Sequence, residues 1–187
     1  MKAIQVAQLK ALEVPWMVSP SLPELCLKTE DVDGRLSATV SFVGFFGEGT
    51  STCARWGMYR RIEVVFVNVL YARLFPEFSA VDQQRIDRYD WSRIPEFRDA
   101  SGGFEGSIER TRVAWHESKI CPSPSSYIVE GSDVIRSLNL SSGEFSHVLF
   151  MGHDFNVEVI AKCWDWRIVG EELSSVRVPH YINKDNV

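Results

Sequence analysis

Phe145-Ser146-His147-Val148-Leu149-Phe150-Met151-Gly152-His153-Asp154-Phe155-Asn156-Val157-Glu158-Val159-Ile160-Ala161-Lys162-Cys163-Trp164-Asp165-Trp166-Arg167-Ile168-Val169 is the stretch whose reading decides the fold. Two alternating apolar arms flank the turn residues Gly152, His153 and Asp154, which is the pattern of a β-hairpin. With His153 and Asp154 at the tip, Val148 faces Val159 and Phe150 faces Val157. That register gathers Val148, Phe150, Val157, Val159, Ala161 and Cys163 on one face, and a slip of one residue would scatter them. The opposite face, with His147, Leu149, Met151, Asn156, Glu158 and Ile160, is mixed and is expected to be half covered. Past Cys163 the apolar set moves to Trp164, Trp166 and Ile168, so the second arm is expected to carry a β-bulge or sharp bend near Cys163.

The rest of the chain supplies further strands. Arg60 to Leu74 is rich in β-branched residues, with Ile62, Val64, Val65, Phe66, Val67 and Val69 apolar on both faces, and reads as a central strand covered on both sides. Leu36 to Phe46 alternates as a half-buried antiparallel strand, which the glycines Gly44, Gly47 and Gly49 are expected to break. The two are expected to pair across the loop Gly47 to Met58. Glu24 to Lys28, Tyr127 to Glu130 and the stretch around Val113 and Trp115 are shorter strand candidates.

Helical signals are few. Ser79 is placed to cap a helix from Ala80 to about Tyr89, and Ser132 to cap one or two turns ending at Leu138. Residues 2–14 fit a helix or a strand equally, and the three prolines in 15–23 predict an irregular connection. Asp90 to Ser107 reads as loop.

At 187 residues the chain suits a single domain over 1–187, with 179–187 expected to fray. Six Trp and eleven Phe provide ample material for a core. A net charge of −5, with basic residues grouped only at Arg55, Arg60 and Arg61, disfavours nucleic acid as a partner. No apolar run approaches the roughly 20 residues that span a bilayer, and Met1 to Trp16 lacks the core of a signal peptide, so no membrane partner is expected. Cys26, Cys53, Cys121 and Cys163 form no C-x-x-C pair; Cys26 and Cys163 lie in apolar surroundings and are expected to be buried thiols. A reducing, cytoplasmic compartment is inferred.

Candidates for chemistry are sparse. His153 and Asp154 at the hairpin tip could serve as base or ligand, but turns use the same residues and no third group is fixed by spacing. His147 and Glu158 sit on diagonal positions of one hairpin face, where such pairs ordinarily only stabilise a sheet. His116 and His180 have no partner in the pattern. Neither a zinc spacing nor a G-x-S-x-G elbow occurs, the glycines of 44–49 do not form a phosphate cradle, and Cys53 has Arg55 nearby without a base. No catalytic residue, metal or cofactor is assigned. Trp164, Trp166 and Arg167 are the main binding candidates, because Trp and Arg anchor protein contacts, with His153 and Asp154 as secondary ones.

Arg61-Ile62-Glu63-Val64-Val65-Phe66-Val67-Asn68-Val69-Leu70-Tyr71, together with His147-Val148-Leu149-Phe150 and Val157-Glu158-Val159-Ile160-Ala161, resembles small uncharacterised bacterial β-rich proteins, some of immunity type. The resemblance covers only these stretches and carries over no functional residue; it implies a binding protein without catalytic machinery. The expected fold is α+β and β-rich, a single strongly bent antiparallel sheet, sandwich-like or an open barrel, with one or two short helices. The expected function is non-enzymatic binding of another protein as an accessory factor, with a homodimer among the expected assemblies. The alternative is a small-molecule binder or small enzyme with its site where loops 44–60 and 97–106 meet the hairpin tip at His153.

Overall fold

A computed structural model of the chain describes residues 6–19, 25–47, 58–76, 89–94, 103–141 and 143–173. Its strands are β1 (Gln8–Ala11), β2 (Trp16–Val18), β3 (Cys26–Val32), β4 (Arg35–Phe46), β5 (Met58–Pro76), β6 (Ser126–Glu130), β7 (Ser146–Met151) and β8 (Phe155–Leu173); the helices are α1 (Gly103–Ser118) and α2 (Asp133–Ser137). All eight strands form one sheet in the order β1-β6-β7-β8-β5-β4-β2, with β3 also on β4. Every ladder is antiparallel. The fold is thus α+β and β-rich, with the bent sheet and short helices that the sequence predicts.

The β7–β8 hairpin has the expected register, Val148 opposite Val159 and Phe150 opposite Val157. Its second arm shows how the sheet bends. On β8 the inward residues are Val157, Val159 and Ala161, then Trp164, Trp166 and Ile168; on β5 they are Ile62, Val64 and Phe66, then Val69. Each strand therefore skips two consecutive residues at the same point, Val67 and Asn68 against Lys162 and Cys163. Because both strands skip together, the register is the same before and after, with Ile62 opposite Ile168 and Val69 opposite Ala161.

The bulge expected near Cys163 is therefore corrected. The phase change occurs at Lys162, one residue earlier, and needs no extra residue relative to β5. Asn68 accommodates it in the left-handed region at φ 56°. True register shifts lie further along, between Val69 and Tyr71 and between Tyr59 and Arg61. Gly170, at φ 78°, falls in the second. Cys163 consequently faces solvent rather than the core, and Cys26 is exposed as well.

The corner divides the sheet into two halves whose inner faces meet. Phe150 of β7 lies 5.9 Å from Phe42 of β4 and 6.1 Å from Phe66 of β5, ring centre to ring centre. Trp16 of β2 stacks edge-on to Phe42 at 5.0 Å. These contacts sit in one core that draws on β2, β4, β5, β7 and β8. Corners of this kind, made by strands that run through both layers, are how orthogonally packed sheets are built.

Chain length forces the curl. Seven strands in the order β1 to β2 make six spacings, about 29 Å if laid flat at ~4.8 Å each. Ala11 and Trp16 are five residues apart and reach at most about 18 Å. The two ends of the sheet must therefore approach, although among the described residues no ladder joins β1 to β2. Backbone bonds from Leu12 to Ser126, from Val18 to Pro124 and from Cys121 to Val14 fasten the link across the gap.

Several local expectations are revised. The stretch around Val113 and Trp115 is helical, within α1, because two alternating residues carry less weight than the i,i+3 pair of Glu109 and Arg112. Its buried Trp115 donates from Nε1 to the Pro15 carbonyl at 3.1 Å and packs against Gly47, where a Cβ would come within 2.7 Å of the indole. Gly44 does not break β4; its missing side chain admits Ile62, whose Cδ1 would lie 2.1 Å from a Cβ. Trp16–Val18, expected to be irregular, pairs with Gly44–Phe46. Central β5 is covered on one face only over its first half, with Val67 42% exposed on the other. The helix expected over 80–89 and the tail 179–187 lie outside the described residues, Tyr89 apart.

Asn68→Gly is expected to leave the melting temperature nearly unchanged, whereas Asn68→Val costs about 1–2 kcal/mol, since a β-branched residue resists the left-handed region. Equal melting temperatures for the two variants in thermal denaturation would remove Asn68 from this role.

Candidate functional site

The C-terminal arm of β8 presents the main binding candidates. Trp164, Trp166 and Ile168 are half-buried on the inner face against the main core, and Trp166 meets Trp16 edge-on at 6.1 Å. Asp165 and Arg167 are exposed on the outer face. Arg167 donates from Nε and Nη2 to Glu63 Oε2 on β5, directly across the ladder, at 2.9 and 2.7 Å. Trp and Arg here are thus neighbours on opposite faces of one strand.

What distinguishes this arm is its edge. The β7 ladder stops at Ser146 opposite Ala161, while β8 continues to Leu173 with β5 as its only partner among the described residues. The Trp166 N–H does not enter the β5 ladder; it donates to the carboxylate of its own neighbour Asp165 at 2.8 Å. Antiparallel alternation gives Trp164 and Ile168 the same outward-pointing backbone groups. At the start of the arm Lys162 pairs with Glu144 and lies over the Phe145 ring, which marks where β7 turns away.

His153 and Asp154 occupy the hairpin tip, at the far end of β8 from Trp164, Trp166 and Arg167. Both side chains are solvent-accessible, and His153 Nδ1 lies 2.7 Å from Asp154 Oδ1. The turn is tight: a Cβ on Gly152 would sit 2.7 Å from the Phe155 carbonyl and 3.2 Å from Leu25. Among the described residues no group of three or more His, Cys, Asp or Glu side chains is arranged to hold a metal ion. The ligand-site alternative also needed loops 44–60 and 97–106. Gly44–Phe46 is strand, Gly103–Gly106 belongs to α1, and 48–57 and 95–102 lie outside the described residues.

A second constellation is inaccessible rather than open. Glu158 and His147 are wholly buried on the outer face of the β7–β8 hairpin, a face expected to be half covered. Tyr89 donates its hydroxyl to Glu158 Oε1 at 3.0 Å, and His147 Nε2 approaches the same oxygen at 3.9 Å. His147 Nδ1 is 2.8 Å from Ser132 Oγ, which also accepts the Ile135 N–H at 3.2 Å as the cap of α2. The direction of the Ser132–His147 bond depends on the imidazole tautomer: with the Ser132 hydroxyl donating to Nδ1, a neutral ring carries its hydrogen on Nε2, toward Glu158.

The pairing of His147 with Glu158 was legible from the hairpin register; Tyr89 and Ser132 were not, because both come from elements far away in sequence. Their hydrogen bonds reach the hairpin from α2 on one side and from the segment around Tyr89 on the other. The chain is sealed, so its chemistry is that of a clasp.

Compared with protein families, with curated proteins and with solved structures, the chain has no match. Among the described residues no helix is long and apolar enough to cross a membrane.

The described thiols differ sharply. Burial pushes the Cys121 thiol up to about 12, whereas Cys26 and Cys163 are exposed. Brief alkylation of the native protein, read by peptide mass spectrometry, is expected to label Cys26 and Cys163 and spare Cys121. Cys121 stays protonated as the pH rises through the ordinary thiol range and is expected to remain unlabelled there; equal labelling of all three would overturn this. Tyr89→Phe leaves the buried Glu158 carboxylate short of a donor and is expected to cost about 1–3 kcal/mol. An unchanged denaturant midpoint would show that the clasp contributes nothing to stability.

Proposed function

We propose that this chain is a non-catalytic, cytoplasmic binding protein that takes up an extended segment of a polypeptide partner along the open edge of β8. The observation that carries the reading is the unequal length of the hairpin ladders: β7 leaves β8 at Ala161, and Cys163 to Val169 continue with one side unpaired among the described residues. An added strand gains main-chain hydrogen bonds there, and alternate side chains supply selectivity. Residues reaching the inner face would cover the half-buried Trp164, Trp166 and Ile168, which are large rigid anchors. Residues on the outer face would meet Asp165 and Arg167.

Other edges are less suited to this role. The outer strand β3 carries Lys28, Glu30 and Asp31, exposed charges of the kind that blunt an edge. The exposed thiols of Cys26 and Cys163 support a reducing compartment, since such groups are readily oxidised elsewhere.

The experiment is capture on the immobilised full chain. Wild type and His153→Ala are expected to retain the same protein in stoichiometric amount, and Arg167→Asp to lose it by about tenfold or more, in line with truncated interface charges. Identical retention by all three proteins would overturn the edge as the binding site.

A further inference from the structure

The open edge has a sequence that complements itself. We propose that the strand which completes it is the same stretch of a second copy of the chain, laid antiparallel about a two-fold axis through Trp166. The inference rests on the reading of this edge as a strand-accepting surface and names the occupant.

Symmetry leaves few registers. In an antiparallel two-fold pair the numbers of facing residues sum to a constant, and directly opposite residues share a face. Trp164, Trp166 and Ile168 face inward while Cys163, Asp165 and Arg167 face outward, so only even sums match inner to inner and outer to outer. An axis through Trp164 would carry the pairing into Ala161, which β7 already occupies. An axis through Ile168 would set Arg167 against Val169 and leave both charges without a counterpart, and axes through Asp165 or Arg167, whose sums are also even, would set two like charges face to face.

The axis through Trp166 satisfies every position. Asp165 of each copy faces Arg167 of the other, which gives two opposite-charge pairs on the outer face. Trp164 faces Ile168, and Trp166 faces its own copy, so the inner faces join into one apolar layer. The edge-directed backbone groups of Trp166 are in phase for exchange between the two copies, and Asp165 is released from bonding its neighbour's N–H to face the incoming guanidinium. Arg167, whose side chain is 67% exposed, keeps Glu63 on one side and has free solid angle on the other. The ladder ends naturally at Lys162, held by Glu144, and at Gly170, where the strand changes conformation at φ 78°.

Charge exchange tests this directly. In sedimentation equilibrium from about 1 to 100 µM, the range where a standard interface associates, the full chain is expected to form a concentration-dependent dimer. D165R sets Arg against Arg, and R167D sets Asp against Asp; each is expected to weaken the dimer at least about tenfold through like-charge juxtaposition. D165R/R167D restores opposite charges and is expected to recover most of the association, a rescue no unrelated partner would produce. Hydrogen exchange at the Trp164, Trp166 and Ile168 amides of the wild type, slowing as concentration rises, gives the same answer without any variant.

A chain that is monomeric throughout, a dimer indifferent to the single exchanges, or single losses that the double exchange does not recover would each overturn the second copy as occupant. If the chain is monomeric yet captures a protein that Arg167→Asp loses, the strand-accepting edge stands and only the occupant changes. If neither association nor capture depends on Arg167, both readings fall.

Discussion

The structure depends on one constraint, the simultaneous change of face in β5 and β8 at Asn68 and Lys162. Two long strands that must line a core on both sides of a corner cannot keep a strict two-residue alternation. At the corner itself neither strand carries an extra residue relative to the other; the one-residue shift comes just beyond it, between Val69 and Tyr71, where β5 alone bulges. By skipping together they preserve the register from Ile62 to Val69 and from Ile168 to Ala161, so Phe66 and Trp164 on one half and Val69 and Ala161 on the other point into the same core. The contacts of Phe150 with Phe42 and Phe66 follow from that bend. So does the edge that is unpaired among the described residues, because β7 follows β8 only as far as the corner.

Much of this was legible in the sequence, and the parts that were not share a cause. The hairpin register, β4, β5, β6 and the Ser132-capped α2 follow from local alternation and local capping. The phase change was visible too, as the move from Ala161 to Trp164. Its mechanism was hidden, because whether a strand has an extra residue is a relation to its partner, and β5 makes the same skip at Asn68. Cys163 was assigned to the core for the same reason. In α1, Trp115 is the one buried side chain among Glu109–Ser118, so little periodicity marks the helix. Gly44 looked like a breaker although its role is to admit Ile62 from the adjacent strand.

The buried clasp illustrates a second kind of invisibility. Glu158 lies between Val157 and Val159 in an alternation that reads as polar-outward, which is correct for the first face of the sheet. The outer face is nevertheless covered over β6, β7 and the first part of β8, by Tyr89, Phe75 and Leu149 on one side and by Ile135 and Phe145 on the other. A carboxylate under that cover demands donors, and Tyr89 supplies one. Buried polar chains of this kind add little net stability but penalise arrangements that leave a member unsatisfied. Here the chain fixes where α2 and the Tyr89 segment sit on the hairpin, which a purely apolar cover would specify less sharply.

If the edge of β8 accepts a strand as proposed, it balances solubility against recognition. A row of unpaired backbone groups invites indiscriminate pairing, and Asp165 restrains it by holding the Trp166 N–H and by placing charge on the strand. That restraint is conditional. An incoming strand replaces the Asp165 bond with a main-chain one and, if it carries a cation at the facing position, also gives the displaced carboxylate a partner. A strand with an acidic or apolar residue there gains the main-chain bond while leaving Asp165 uncompensated. The same residue that protects the edge therefore selects what completes it, and Arg167, two residues on, imposes the opposite requirement. A segment meeting both needs a cation and an anion in the order that this stretch itself has when run antiparallel, which is why the sequence from Trp164 to Ile168 fits its own edge.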